Sequence, residues 1–402
     1  MPSALPPEGS ALPLITDSTA IFVYLIVLIG ILHWIAEKNI LPWLFKYLPP
    51  AIWVYFLPMV SSNVGIIPQS QPLYDWIRLY LLPTALVLML LSANLPALAK
   101  LGGKAILTML IGTAGIAVGA IVSFALFQFW LPEESWRAVG ALTGSWVGGS
   151  ANMVAVASSI GTPDSLLGPI IVVDTVVGYG WMGIVIALAV FQDRLDAHNK
   201  VDRSIVDGLN KRMRELDNQK RRPLRFVDLL KMLAVGFGVG YAMLQLGLFL
   251  PDVGAVLTSF GWAIILSTAA GILLSLTKLS ELEYAGASTV GSAFFYLLLA
   301  SIGARADLEG ILDAPLFLLM GVCIIAIHAA FLFLAGKYLH APLFLMATAS
   351  QANIGGPVTA PIVATVYQSS LAPVGLLMAV LGGVMGTFVG LAVAQICYLL
   401  AG

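Results

Sequence analysis

Charge is the scarcest feature of this chain: Asp, Glu, Lys and Arg make up 10% of its 402 residues, where a soluble globular protein carries about 25%. A soluble enzyme is thereby excluded. Cysteine is nearly absent too, and the two present, Cys323 and Cys397, sit in apolar runs without zinc or thioredoxin spacing. Both read as packing residues. The net charge is -1, so no global basic field argues for a nucleic-acid partner. The first 17 residues contain no Lys or Arg, and the basic region that opens a signal peptide is missing, so the first apolar run is expected to be retained. No His-Glu-x-x-His, no Walker loop and no second intramembrane aspartate occur. The expectation is therefore of no enzyme, no ATP-driven pump, no cofactor and no metal beyond a coupling Na+.

What the chain has in abundance is hydrocarbon: 59% of residues are hydrophobic and the mean hydropathy is +0.95. The apolar runs are of helical spanning length rather than short alternating strands, which excludes an outer-membrane barrel. The predicted fold is an all-α polytopic membrane protein of about 12 (11–13) transmembrane segments. Candidate spans fall near 18–36, 50–68, 73–93, 104–130, 138–161, 165–192, 226–249, 255–277, 285–304, 312–337, 342–365 and 369–400. The one long polar stretch, 193–225, holds ten of the twenty Lys+Arg and reads as a cytoplasmic tether by the positive-inside rule. The expected organisation is an N-terminal transmembrane repeat over 1–192, the basic linker over 193–225 and a C-terminal repeat over 226–402, in the cytoplasmic (inner) membrane with lipid around it.

The halves repeat. The stretch from Ala51 can be laid over that from Ala263, and Gly148-Gly149 over Gly355-Gly356, with elements in the same order. Transporters use such repeats, most often inverted, to build two conformations around one midplane site. Six full spans per half would make the repeats parallel, so inversion requires that one segment be split, re-entrant or short of a full crossing.

Two places carry chemistry. In GSWVGGSAN and SQANIGGPVT, paired glycines interrupt an apolar span at matching positions, and Pro357 withholds a backbone donor. Broken helices at membrane depth are tolerated where they line a cavity, and their ends offer amides to anions and carbonyls to Na+. The predicted breaks are Gly148, Gly149, Gly355, Gly356 and Pro357. The other signal is Asp174, the one charged residue between Asp164 and Asp193, roughly 14 Å into its span at 1.5 Å per residue. An intramembrane carboxylate is a functional-site candidate by default. Its equivalent in the second half, near Ala379, has none. Asp174, Asn152, Ser150 and Ser145 are the predicted ion ligands; Ser350, Gln351, Asn353 and Thr359 are the predicted solute contacts. TVVGYG after Asp174 resembles a potassium filter but has an extra valine and one copy, so Gly178 and Gly180 are expected to be close helix contacts. His328 reads as a packed core residue, and Arg305, Asp307 and Glu309 as an interfacial turn.

At the glycine-broken spans GSWVGGSANMVAVA and SQANIGGPVTAPIVA, and across LPPAIWVYFLPMVSSNVGIIP and FFYLLLASIGARADL, the chain resembles the YjcL-like family of uncharacterised integral membrane proteins. That family is grouped with cation:proton antiporters, bile-acid sodium symporters and auxin carriers. The resemblance implies inverted repeats, a core domain whose discontinuous helices cross at mid-membrane, a panel domain, and often a homodimer. It also implies that the crossing points are Gly148-Gly149 and Gly355-Gly356. The paired aspartates of electrogenic sodium:proton antiporters are absent, which favours solute symport. The expected function is a secondary active transporter, a sodium-coupled symporter of a small organic solute working by an elevator-type motion. The alternatives are a monovalent cation:proton antiporter using Asp174, with H+ as the coupling ion, and a channel or non-transporting scaffold.

Overall fold

The computed structural model describes residues 13–40, 45, 50–93, 101–201, 222–252, 258–306, 314–368 and 371–402. Most of the predicted linker (202–221), together with Asp307 and Glu309, lies outside the described residues. Among the described residues there are helices and no β-strand. The chain is a polytopic helical membrane protein.

Among the described residues, eight helices are long and apolar enough to cross a bilayer singly. They include α1 (Ser18–Glu37), α3 (Pro72–Leu90) and α4 (Gly103–Phe127). The other four predicted spans are built differently, for local reasons. Helix α2 (Pro50–Asn63) has 14 described residues. Helix α9 (Ser259–Ser275) ends in a 93° bend into the short helix Lys278–Ala285. The remaining two are broken at the glycine pairs, giving α5 (Ser135–Gly148) with α6 (Ser150–Ser159), and α12 (Leu343–Ile354) with α13 (Gly356–Tyr367). Completing the set are α7 (Asp164–Leu188), α8 (Phe226–Gly247), α10 (Ala287–Arg305), α11 (Ala314–Leu339) and α14 (Ala372–Ala401).

Ends are set by ordinary capping chemistry. The Asp17 carboxylate accepts the Ala20 amide at 2.9 Å to start α1, and the Thr258 hydroxyl accepts the Gly261 amide at 3.2 Å to start α9. Asp228, buried in the first turn of α8, is held by Arg222 and by Arg225 at 3.0 Å. Flanks such as Val23, Ile26, Val27 and Ile31 of α1 are exposed, as suits helices whose solvent on that side is hydrocarbon.

The helices pack as two bundles that do not follow the sequence halves. A scaffold forms where α10 packs on α2 and α3, α8 and α9 pack on α3, and α1 rests on α2 and α10. A core forms where α4 packs on α11, α5 and α12–α13 pack on α14, and α7 packs on α11 and α5. Each half therefore contributes three spans to each bundle. The α5–α14 seam is made by glycines: Gly140, Gly144 and Gly148 on α5 face Gly390, Gly386 and Gly382 on α14. A Cβ on Gly386 would come within 2.7 Å of the Gly148 Cα, and one on Gly390 within 3.1 Å of the Gly144 Cα. Such spacing lets backbones touch where no hydrophobic effect separates helix from lipid. In the scaffold, Gly303 plays this part between α10 and α2, because a side chain there would overlap the Tyr55 carbonyl. Gly303→Ala is expected to cost about 1–3 kcal/mol, the usual range for overpacking, read as a fall in thermal midpoint. An unchanged midpoint would refute this packing of α2 on α10.

Candidate functional site

The first break is made by one residue. Gly149 has φ 88°, ψ 172°, a region that essentially only glycine occupies. At the second break Gly356 has φ 62°, and Pro357 stands at the start of α13 without an amide hydrogen. Each break is tied across by an amide side chain. Asn152 donates to the Gly148 carbonyl at 2.8 Å, supplying a partner that the interrupted α5 lacks. Gln351 donates to the Thr359 hydroxyl oxygen at 2.9 Å. The two breaks meet: a Cβ on Gly356 would lie 3.9 Å from the Gly149 Cα.

Beside this crossing lies a cavity of about 180 Å³. Of the predicted polar residues, Ser145, Ser150, Asp174, Gln351 and Thr359 line it, as do Gly149, Gly355, Gly356 and Pro357 at the breaks. The Ser145 hydroxyl donates to the Asp174 carboxylate at 2.9 Å. Among the described residues no Lys, Arg or His side chain lines the cavity. Three walls come from the core and the fourth from the scaffold, through Ala51, Ile52 and Tyr55 of α2 and Leu299 of α10.

The other predicted residues are placed behind this wall. Asn152 is buried, with its side-chain carbonyl accepting the Thr387 hydroxyl at 2.6 Å. Asn353 mirrors it, donating to Ala349 at 3.0 Å and accepting the Thr113 hydroxyl at 2.9 Å. Both amides hold the core together. Ser350 accepts from the Trp181 indole at 2.8 Å and pairs with His328 Nε2 at 2.9 Å, while His328 Nδ1 meets the Gly112 carbonyl at 2.8 Å. Because Nδ1 faces a carbonyl it carries the proton, and Nε2 accepts from Ser350. Gly148 packs into the α14 seam, where a side chain would meet the Gly382 carbonyl at 2.8 Å. Gly178 lines the cavity, with Ile354 in ordinary contact at 3.5 Å, and a side chain at Gly180 would meet nothing within 4 Å. The expectation of close helix contacts at Gly178 and Gly180 is corrected accordingly.

Sequence reasoning missed Tyr55 and Tyr179, both on the cavity wall, and the threonines that satisfy the two asparagines. Nothing local marks any of these. It also missed the paired glycine stripes of α5 and α14, although their four-residue spacing is readable. A further surprise is Arg305, read from sequence as part of an interfacial turn. It reaches from the scaffold to Asp164 at the head of α7, 2.9 Å away, and to Asp75 at 2.6 Å. Arg78, set in a π-helical turn of α3 (Ile77–Leu81), donates to the Ser158 carbonyl at the end of α6. Scaffold and core are thus tied at one end by two arginines.

Two broken helices thus cross over a half-buried carboxylate, between two bundles that each take spans from both halves of the chain. Residues 23–400 match the family described as "Protein of unknown function (DUF819)". The chain belongs to this family. It is also 27% identical over 347 residues to the "Uncharacterized membrane protein YjcL" of Bacillus subtilis, covering 83% of this chain and 85% of that one.

Proposed function

We propose that this DUF819 protein is a secondary active transporter in the cytoplasmic membrane, a symporter that couples a small organic solute to Na+. Its core moves against the scaffold to expose the crossing cavity to either side, and the linker faces the cytoplasm. One observation carries the reading. The cavity holds the half-buried Asp174 carboxylate and both helix breaks on the core, yet its remaining wall, at Tyr55 and Leu299, belongs to the scaffold. Sliding one bundle past the other would therefore open and close the same site.

The test is thermal unfolding of purified protein in NaCl, KCl and choline chloride at equal ionic strength, followed by solute counterflow in proteoliposomes. A ligand at 100 times its Kd stabilises by about 2.7 kcal/mol, so a sodium-specific rise is expected together with saturable counterflow. Counterflow without any effect of Na+ would sink the coupling. A second reading, cation:proton exchange, draws on the same Asp174, whose bonded partner is a hydroxyl rather than a cation. Dissipation of a pH gradient by Na+ alone, without solute, would select it.

Alternating access also predicts an effect at the arginine ties. Arg305 and Asp164 are about one-third exposed, so their pair is worth at most about 1 kcal/mol. Arg305→Gln should shift the balance of conformations roughly fivefold, read as changed labelling of Ser150→Cys in the cavity. Identical labelling with and without the substitution would show that the tie does not govern access.

A further inference from the structure

We infer that the solute is a small zwitterion, an α-amino acid with a short side chain. Asp174 serves as the shared anion of the site, facing the coupling Na+ and, with the Gln351 side-chain carbonyl, the solute's ammonium group, while the amino ends of α6 and α13 hold its carboxylate. The inference rests on reading the cavity as a transport site and adds the chemistry of what it carries.

Among the described residues, two that line the cavity each carry a buried polar atom without a partner. The Gln351 residue is 1% exposed and gives its amide hydrogen to Thr359, leaving its carbonyl oxygen unpaired; the Tyr55 residue is 0% exposed and its hydroxyl is unpaired. Buried polar groups almost always have a partner. Two such orphans on residues that line one cavity point to a ligand that brings both a donor and an acceptor. Asp174, the one charged side chain on the described wall, asks for a positive group beside it.

The opposite pole is made by backbone. Helices α6, of 10 residues, and α13, of 12, both begin on the wall, and no side chain caps either first turn. First-turn amides have no partner within a helix and favour an anion. Pro357 withholds one such donor in α13, and in α6 the Asn152 amide is spent on the Gly149 carbonyl at 2.9 Å, so the α6 end offers the amides of Ser150 and Ala151. Gly149 leaves the approach open, with nothing within 4 Å of where its side chain would be.

Charge then discriminates among solute classes. A carboxylate alone would sit beside Asp174 without a countercharge, and an amine alone would leave both helix ends unanswered. A bare cation would satisfy Asp174 but fill little of about 180 Å³. A zwitterion answers both poles, and Ile171, Met153 and Leu299 give its side chain an apolar wall.

The test uses the purified full chain with glycine, L-alanine and L-serine, against propionate and ethylamine at equal concentration, in NaCl and in choline chloride. Thermal unfolding reads binding, and counterflow of the labelled amino acids in proteoliposomes reads transport. At least one amino acid should raise the midpoint while propionate and ethylamine do not. Tyr55→Phe and Gln351→Leu should each weaken its apparent affinity about tenfold or more. Ethylamine alone matching the amino acids would overturn the inference in favour of an organic cation, and propionate alone in favour of an anion. A sodium response with no amino-acid response overturns the zwitterion while the transport reading stands. Amino-acid binding without counterflow upholds the zwitterion site and overturns the transport reading.

Discussion

Asp174→Asn is expected to abolish sodium-dependent uptake while leaving the protein folded and inserted, and in choline chloride at least as stable as the parent. The amide has nearly the shape of the carboxylate and can still accept the Ser145 hydroxyl, which sits 2.9 Å from Oδ1, so the local hydrogen bond survives. What disappears is a charge held at membrane depth, a costly thing to keep, and no Lys, Arg or His on the described cavity wall offsets it. Removing it should therefore cost the empty protein little or nothing. The whole sodium-induced stabilisation, about 2.7 kcal/mol at 100 times Kd, should vanish. Thermal midpoints in NaCl and choline chloride, with uptake measured alongside, check this. A mutant that transports with unchanged kinetics, or that still gains stability from Na+, would remove Asp174 from the site.

Gly149→Ala is the other change of large expected effect, and backbone geometry is its cause. Space is available, since a Cβ there would meet nothing within 4 Å, but φ 88°, ψ 172° is a conformation that side chains other than glycine essentially do not adopt. The cost of about 1–3 kcal/mol is escaped by rebuilding the break, which moves Ser150 and the start of α6 away from Asp174. Uptake should fall by tenfold or more. Gly356 provides the control. Its φ of 62° lies in the left-handed region that asparagine tolerates, and a side chain there meets only the Gly149 Cα at 3.9 Å. Gly356→Asn should thus retain more activity than Gly149→Ala. The reverse order would mean that the break at Gly149 is not what holds the site open.

The two glycine breaks and the intramembrane aspartate were legible because each is a local contradiction. A Gly-Gly pair or a carboxylate inside an apolar run conflicts with its own neighbours, and that conflict can be read without knowing what lies across the bundle. The twelve predicted spans each contain a helix or a broken pair for the same reason, since hydrocarbon imposes backbone bonding within the segment. Roles that depend on orientation were not legible. Asn152 and Gln351 look alike in sequence, each beside a glycine pair, yet one ties the core through Thr387 and the other lines the cavity with its carbonyl left unpaired among the described residues. Residue type alone did not distinguish them.

The sequence by itself therefore determined that this protein is helical, membrane-spanning and broken at two related places, with one carboxylate at depth. Those properties follow from the cost of placing particular groups in lipid. Only the tertiary structure decided that the breaks touch, that the helices sort into a core and a scaffold across the sequence halves, and that Tyr55 completes the cavity. Residue 55 is far along the chain from Asp174 and Gln351, and packing alone brings this scaffold tyrosine to a site built mostly on the core. The seam that allows it, glycine against glycine between α5 and α14, gains its stability from contact of two distant segments, a term that no single stretch of sequence contains.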